Sequence, residues 1–235
     1  MTGTNVERVT GMEEIFDDWP GQYTEWFETP IGILVKKYEN DLILEMVRPL
    51  QGERILDAGC GTGIFTLSLL DAGAHVTGVE ISLPMLLEAE KFLADHPFRG
   101  IQGDMTALPF PDHTFDRVVS VTAIEFIEDA RGAVSEAFRV TKPGGCIVVA
   151  TLNSLSPWAI RRKASGEKGH PLFRHATFRS PRQMSGLSPV EGTIKTAIHF
   201  LKDHPPNQAE MIEEEGRSAD ASAGAFLAAK WVKPR

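Results

Sequence analysis

Cysteine is scarce in this chain: Cys60 and Cys146 are the two in 235 residues. Two cysteines cannot staple a fold of this length, and no cysteine–histidine cluster has metal-ligand spacing. Disulfide-framework and structural-zinc readings are therefore excluded, and reduced thiols in a cytoplasmic protein are the simple expectation. Long apolar runs are also missing; none approaches the ~20 residues that span a bilayer. Positive charge is in deficit, with 24 Lys and Arg against 32 Asp and Glu and a net charge of −8. That balance argues against a primary nucleic-acid binder, which usually presents a basic face. Residues 1–19 are polar and acidic, unlike a signal peptide. No internal repeat and no strong linker is visible. What is there is an ordinary hydrophobic fraction of 42% and enough length for one large α/β domain.

Apolar runs and helical periodicities alternate along the chain. Residues 1–11 read as frayed, and residues 12–36 gather Phe16, Trp19, Tyr23, Trp26 and Phe27. Residues 37–49 read as a helix with Leu42, Ile43, Met46 and Val47 on one face. Strands are predicted at 54–57, 75–80, 98–102, 115–121 and 146–151, with helices at 64–73, 82–94 and 130–140 between them. Residues 142–145, Lys-Pro-Gly-Gly, read as a turn. Strands alternating with helices predict a parallel, doubly wound sheet, whose ligands bind outside the carboxyl ends of the strands. Asp57, Glu80, Asp104 and Thr122 all fall at such ends. Beyond residue 151 comes a basic stretch, 152–180, that is long for a plain connection and reads as a lid. A helix start at Ser180 and Pro181, a strand at 193–200, a polar mobile segment at 203–223 and a last strand at 224–232 follow.

The most informative stretch is Asp57-Ala58-Gly59-Cys60-Gly61-Thr62-Gly63. A short apolar strand ends in an acid, three glycines alternate, and a helical pattern follows. Glycine permits positive φ and close approach of a ligand to the backbone, and the following helix start offers free N–H groups. A dinucleotide-binding loop has its third glycine three positions after the second. Here it comes two positions after, and an acid stands before the first.

This G-x-G-x-G loop behind an acid resembles the first motif of the class I S-adenosylmethionine-dependent methyltransferases. The resemblance covers about residues 23–151 and includes Gly78-Val79-Glu80-Ile81-Ser82, Gly103-Asp104-Met105-Thr106-Ala107-Leu108-Pro109-Phe110, Phe115-Asp116-Arg117-Val118-Val119-Ser120 and Arg139-Val140-Thr141-Lys142-Pro143-Gly144-Gly145. In that order they are similar to the successive motifs of small-molecule, type 11-like members. The resemblance implies a Rossmann-like α/β fold of three αβα layers, with a seven-stranded sheet of order 3-2-1-4-5-7-6 and strand 7 antiparallel. It implies one methyltransferase domain: an N-terminal helical cap at 12–49, a cofactor-binding core at 50–151, a lid or substrate insertion at 152–187 and C-terminal strands at 192–235. It implies S-adenosyl-L-methionine as methyl donor and S-adenosyl-L-homocysteine as product. Asp57 would orient the methionine amino group, directly or through water. Gly59, Cys60, Gly61 and Gly63 would line the methionine and sulfur. Glu80 would accept from both ribose hydroxyls. Leu83 and Met85 would pack at the adenine, Ile81 would be a further cofactor contact, Asp104 would accept from the adenine amino group beside Met105, and the Thr122 carbonyl would face the methionine amino group. Tyr23 and Trp26 would close over the cofactor.

Bland readings stand beside these. Asp57 alone is a turn acid, Cys60 a small turn residue and the aromatic N-terminal cluster ordinary packing. His170, His175 and His199 are possible bases only in the sense that any histidine is. Glu125 follows the fourth strand, where relatives place groups toward the substrate. Phe126 stands where several relatives carry histidine, which argues against a histidine-assisted mechanism from that position. The Arg161-Arg162-Lys163 run is a solvated helix face or a site for an anionic substrate or headgroup. The expected function is methyl transfer to a small-molecule acceptor by in-line displacement. The alternatives are an NAD-dependent dehydrogenase, a non-catalytic cofactor-binding protein and a protein or RNA methyltransferase. The first is disfavoured by the glycine spacing. The last is disfavoured by the acidic charge and by Ser120-Val121-Thr122-Ala123 standing where many nucleic-acid amino methylating enzymes carry an Asn/Asp-Pro-Pro-aromatic tetrapeptide.

Overall fold

Side chains on successive strand residues point to opposite faces, so a strand buried on both sides must be apolar throughout. The runs 55–56, 118–119 and 147–150 of the central strands obey this, and the computed structural model, which describes Phe16 and residues 25–219 and 221–235, shows why. Seven strands form one sheet: β1 (Arg54–Ala58), β2 (His75–Glu80), β3 (Phe98–Gln102), β4 (Phe115–Val121), β5 (Thr141–Leu152), β6 (Thr193–Ala197) and β7 (Phe226–Val232). Their order is β3-β2-β1-β4-β5-β7-β6. β1 to β5 pair in parallel and β7 runs antiparallel between β5 and β6. Ile55, Val76, Val119 and Val148 turn to one face and join α1 (Pro30–Val47) and residues of α2 (Thr66–Asp71). Leu56, Val79, Val118 and Ile147 turn to the other and join α4 (Ala130–Val140). α3 (Leu83–Phe92) lies between β2 and β3 in the chain and packs on both. The result is the three-layer fold that the motif order implies.

One ion pair fixes the amino edge of the sheet. Arg117 of β4 donates to both oxygens of Glu53, at 2.6 and 2.9 Å, and to the Val47 carbonyl at 2.8 Å. This two-pronged contact ties the end of α1 to the start of β1 and to β4. Among the described residues no helix is long and apolar enough to cross a membrane.

Four expectations need correction. The first helix begins at Pro30, not near 37, because Thr29 caps it by accepting from the Gly32 N–H at 3.1 Å and Pro30 sits in its first turn. Residues 142–145 are not a free turn but the opening of β5. Their backbone is held from outside, with Gly144 N–H donating to the Lys233 carbonyl and Lys233 N–H to the Gly145 carbonyl, each at 2.9 Å. The strand read as 193–200 stops at Ala197. Beyond α5 (Pro157–Glu167) and α6 (Pro181–Ser185), the segment read as polar and mobile carries α7 (Pro206–Ser218). The reason is non-local. Glu213 of α7 is fully buried and accepts from the backbone N–H groups of Ile198 at 3.0 Å and His199 at 2.7 Å, and it meets His199 Nδ1 at 3.1 Å. A run of three glutamates conceals that role. The frayed reading of 1–11, and Trp19 and Tyr23, lie outside the described residues.

The Glu213–His199 pair makes stability depend on pH. Burial opposes the charge on both groups, yet the hydrogen bonds between them prevail, holding Glu213 below its ordinary 4.5 and His199 above its ordinary 6.5. A depressed acid stabilises above 4.5 and loses its contribution as pH falls through its folded value. A raised histidine stabilises below 6.5 and loses its contribution as pH rises through its folded value. Glu213→Ala is expected to cost roughly 2–4 kcal/mol in urea unfolding, since it strands two backbone donors. The gap from the parent chain should be widest between pH 4.5 and 6.5. A gap flat across pH, or below about 1 kcal/mol, would contradict this role.

Candidate functional site

The carboxyl ends of the parallel strands open into a cavity of about 630 Å³, within the ~300–1,000 Å³ of small-molecule sites. One wall is built by the loops after β1 and β2. Gly59 and Cys60 donate their N–H groups to the Val79 carbonyl at 2.7 and 3.1 Å, which folds the glycine loop across the end of β2. The Glu80 carboxylate then bridges the two loops, accepting from Gly61 N–H at 2.9 Å and from Ser82 N–H at 3.0 Å. Gly59 has φ +78, and a Cβ there would stand 2.4 Å from the Ala123 Cβ. Gly61 has φ +54, and a Cβ there would meet no atom within 4 Å. The first glycine lets two loops touch; the second leaves room.

Of the residues expected to hold a cofactor, Gly59, Cys60, Gly61, Glu80, Ile81, Met85, Asp104, Met105, Thr122 and Trp26 all line this cavity. They come from four strand ends and the segment before α1. Asp104 shapes its own loop by accepting from Thr106 N–H at 2.7 Å. Thr122 takes φ +50, uncommon for a residue with a side chain, and donates its N–H to the Ala150 carbonyl at 2.9 Å. Three others stand elsewhere. Asp57 is buried behind the loop, where Thr66 Oγ1 donates to it at 2.6 Å; burial pushes its carboxyl up to about 6 against that hydrogen bond, with the Glu80 charge adding to the rise. Gly63 is where helix and loop press together, since a Cβ there would lie 2.7 Å from Leu93 Cδ1. Leu83 is 45% exposed, because the Ser82 cap makes it the first helical residue and turns it outward; Met85 reaches inward instead. The helix expected straight after Gly63 begins at Thr66. Cys60 is buried, and its thiol is pushed well above its usual range by burial, then by Asp57 and Glu80. It is no nucleophile.

The opposite wall has different chemistry. Trp26, Phe65, Phe126, Trp158 and Phe173 give it an apolar lining. α5 (Pro157–Glu167) brings Arg162, which stacks over Trp158 and Phe173 with its guanidinium carbon 5.3 and 5.6 Å from the ring centres. His170 lies flat on Phe173 at 4.4 Å, and its Nδ1 accepts from the Leu172 N–H at 3.3 Å. Two buried acids face the same space. Burial pushes Glu125 up to about 7, against its own backbone N–H and Thr151. Burial pushes Glu39 up to about 8, against Arg162, with the Glu125 charge adding to the rise.

Glu125 was legible as a candidate; Glu39 was missed. The available signal was an acid among Val35, Tyr38, Leu42 and Ile43, on the buried stripe of α1. Arg161 and Arg162 line the cavity and Lys163 does not. His175 and His199 lie away from the cavity, and His199 belongs to the Glu213 network. Among the described residues no group of three or more His, Cys, Asp or Glu could hold a metal ion.

A family model described as a methyltransferase domain matches residues 56–149. The chain is 36% identical over 173 residues to an uncharacterized methyltransferase of Mycobacterium bovis, covering 70% of this chain and 81% of that one. It is 39% identical over 104 residues to a malonyl-acyl-carrier-protein O-methyltransferase of Erwinia billingiae, covering 44% of this chain. That stretch spans 41% of the Erwinia protein, less than half its length. In fold it resembles the crystal structure of a SAM-dependent methyltransferase from Thermotoga maritima, with TM-score 0.71 and 23% identity over 94% of this chain and 100% of the other.

The two glycines should part company under substitution. Gly59→Ala, strained and overpacked on Ala123, is expected to cost roughly 2–5 kcal/mol in chemical unfolding. Gly61→Ala, strained but facing open space, should cost about 1–2 kcal/mol. Equal costs would show that the loop does not pack as described.

Proposed function

This chain belongs to the S-adenosylmethionine-dependent methyltransferases, and from that premise we propose that it moves a methyl group from S-adenosyl-L-methionine to a small-molecule acceptor by in-line displacement. The observation that carries the reading is the Glu80 carboxylate, held at the end of β2 by the N–H groups of Gly61 and Ser82 beside an open cavity. A carboxylate so placed can accept from two vicinal ribose hydroxyls at once. The space above Gly61, where a Cβ would touch nothing, fits a ligand lying against the glycine backbone.

On this reading Gly59, Cys60 and Gly61 lie against the methionine part. Asp57 acts from behind the loop. Ile81 and Met85 pack on the adenine, Asp104 takes its amino group beside Met105, and the Thr122 carbonyl receives the methionine amino group. Trp26 covers the site, and Tyr23 is its candidate partner. The bound donor supplies an activated methyl group, so the protein's work is to align the acceptor with it and exclude water. The aromatic lining supports a dry, apolar acceptor side. The cap expected at 12–49, described from residue 25 apart from Phe16, and residues 152–187 would frame the acceptor over a 50–151 core, with 192–235 completing the sheet of a single domain. The acidic net charge of −8 supports a small acceptor over nucleic acid. Two free, buried cysteines support the cytoplasmic reading.

Calorimetric titration tests this. S-adenosylmethionine and S-adenosylhomocysteine are expected to bind in the micromolar range and NADH not to bind. Glu80→Gln should weaken both by about tenfold or more, the scale of one lost charge-assisted hydrogen bond. Binding of NADH in their place would overturn the reading.

A further inference from the structure

Glu39 and Glu125 reach one cavity from two elements, the buried face of α1 and the turn after β4. Neither is explained by the fold. Glu125 is 1% exposed; Thr151 Oγ1 donates to its Oε2 at 3.1 Å, while Oε1 is buried with no hydrogen-bond partner among the described residues. Such an oxygen is costly as part of a carboxylate and far less so when the group holds or shares a proton. Glu39 is also buried, at 6% exposed. A purely structural acid in this fold looks different. Glu213 has two backbone N–H donors and a histidine on its oxygens.

Resting on the methyl-transfer reading, we propose that Glu39 and Glu125 are the proton-accepting pair of the acceptor site, and that the acceptor is a neutral phenolic or enolic hydroxyl on an apolar ring. Both acids line one cavity, burial raises both, and the Glu125 charge adds to the rise at Glu39, so the two sites hold an exchangeable proton near neutral pH. The charged groups about them are Arg162 on α5 and Arg179, whose Nη1 donates to the Ile124 carbonyl at 2.8 Å; Arg161, His170 and Lys202 line the same cavity. Burial lifts both acids toward neutral pH, where a general base works best. The balance of the step is simple. The acceptor O–H bond breaks and its proton passes to the ionised carboxylate of the pair. The oxygen bonds to the methyl carbon as the methyl–sulfur bond breaks, and that electron pair stays on sulfur. A thiolate or tertiary amine attacks without such a partner. The walls of Trp26, Phe126, Trp158 and Phe173 suit a ring.

The experiment has two arms. In the first, infrared difference spectra of the wild-type protein with S-adenosylhomocysteine are followed against pH. A protonated-carboxyl band should disappear as pH rises through neutrality, and both Glu125→Gln and Glu39→Gln should change it. No such band in wild type, or a band indifferent to both substitutions, overturns the proposal. In the second, label from a radioactive methyl donor is offered catechol, para-nitrophenol, thiophenol and benzylamine. Label is expected in the two phenols. Each glutamine variant should lower kcat on them by about 100-fold or more, flatten the acidic limb of the pH profile and leave S-adenosylhomocysteine affinity unchanged. Label in thiophenol or benzylamine alone, label in none of the four, or unaltered kcat in both variants would overturn it. Failure of the wild type to bind S-adenosylhomocysteine would instead sink the methyl-transfer reading beneath it.

Discussion

The site depends on one carboxylate. Glu80 closes β2 and takes the N–H groups of Gly61 and Ser82 on its two oxygens. Those contacts hold the glycine loop to the start of α3, and with Gly59 and Cys60 bonded to the Val79 carbonyl they fix the shape of the cavity's inner wall. Backbone donors grip a carboxylate strongly because the acceptor is charged. The same charge acts behind the loop, where it adds to the rise that burial imposes on Asp57. Loop shape, cavity-facing charge and the state of the neighbouring acid thus share a cause.

The cavity has two characters. Its inner wall comes from strand ends and is built of backbone, glycine and acids at fixed registers. Its outer wall comes from α1, α5 and the turn after β4, and is built of aromatic rings, Arg162 and two buried acids. The parallel sheet positions the first wall, so it is held by the ladder of β1, β2 and β4. The packing of α1 on β5, β6 and β7, and of α5 on the turn at Phe173–His175, positions the second. That division suits an enzyme that holds a constant donor rigidly and shapes its specificity elsewhere.

Much of this was legible in the sequence, for a local reason. Strand ends announce themselves as apolar runs stopping at Asp57, Glu80 or Gly103-Asp104; Glu80, Gly103 and Asp104 line the cavity, and Asp57 lies behind its glycine loop. The strands at 98–102 and 115–121 and the helix at 130–140 were readable to the residue for the same reason. What escaped was non-local. Glu213 looks like one of three solvated glutamates until β6 and the chain after it supply the donors. Gly144 and Gly145 look like a turn until residues past β7 pair with them. Glu39 looks like a surface acid until α1 buries it against the cavity that Glu125 also lines. Leu83 and Met85 are two positions apart, and the Ser82 cap alone decides which faces in.

The most direct test is a crystal structure with S-adenosyl-L-homocysteine bound. The account predicts both ribose hydroxyls on the Glu80 carboxylate, the homocysteine along Gly59 to Gly61, and the sulfur turned toward the half of the cavity that holds Glu39 and Glu125. A nucleoside seated away from Glu80, or a sulfur turned from those two acids, would contradict it.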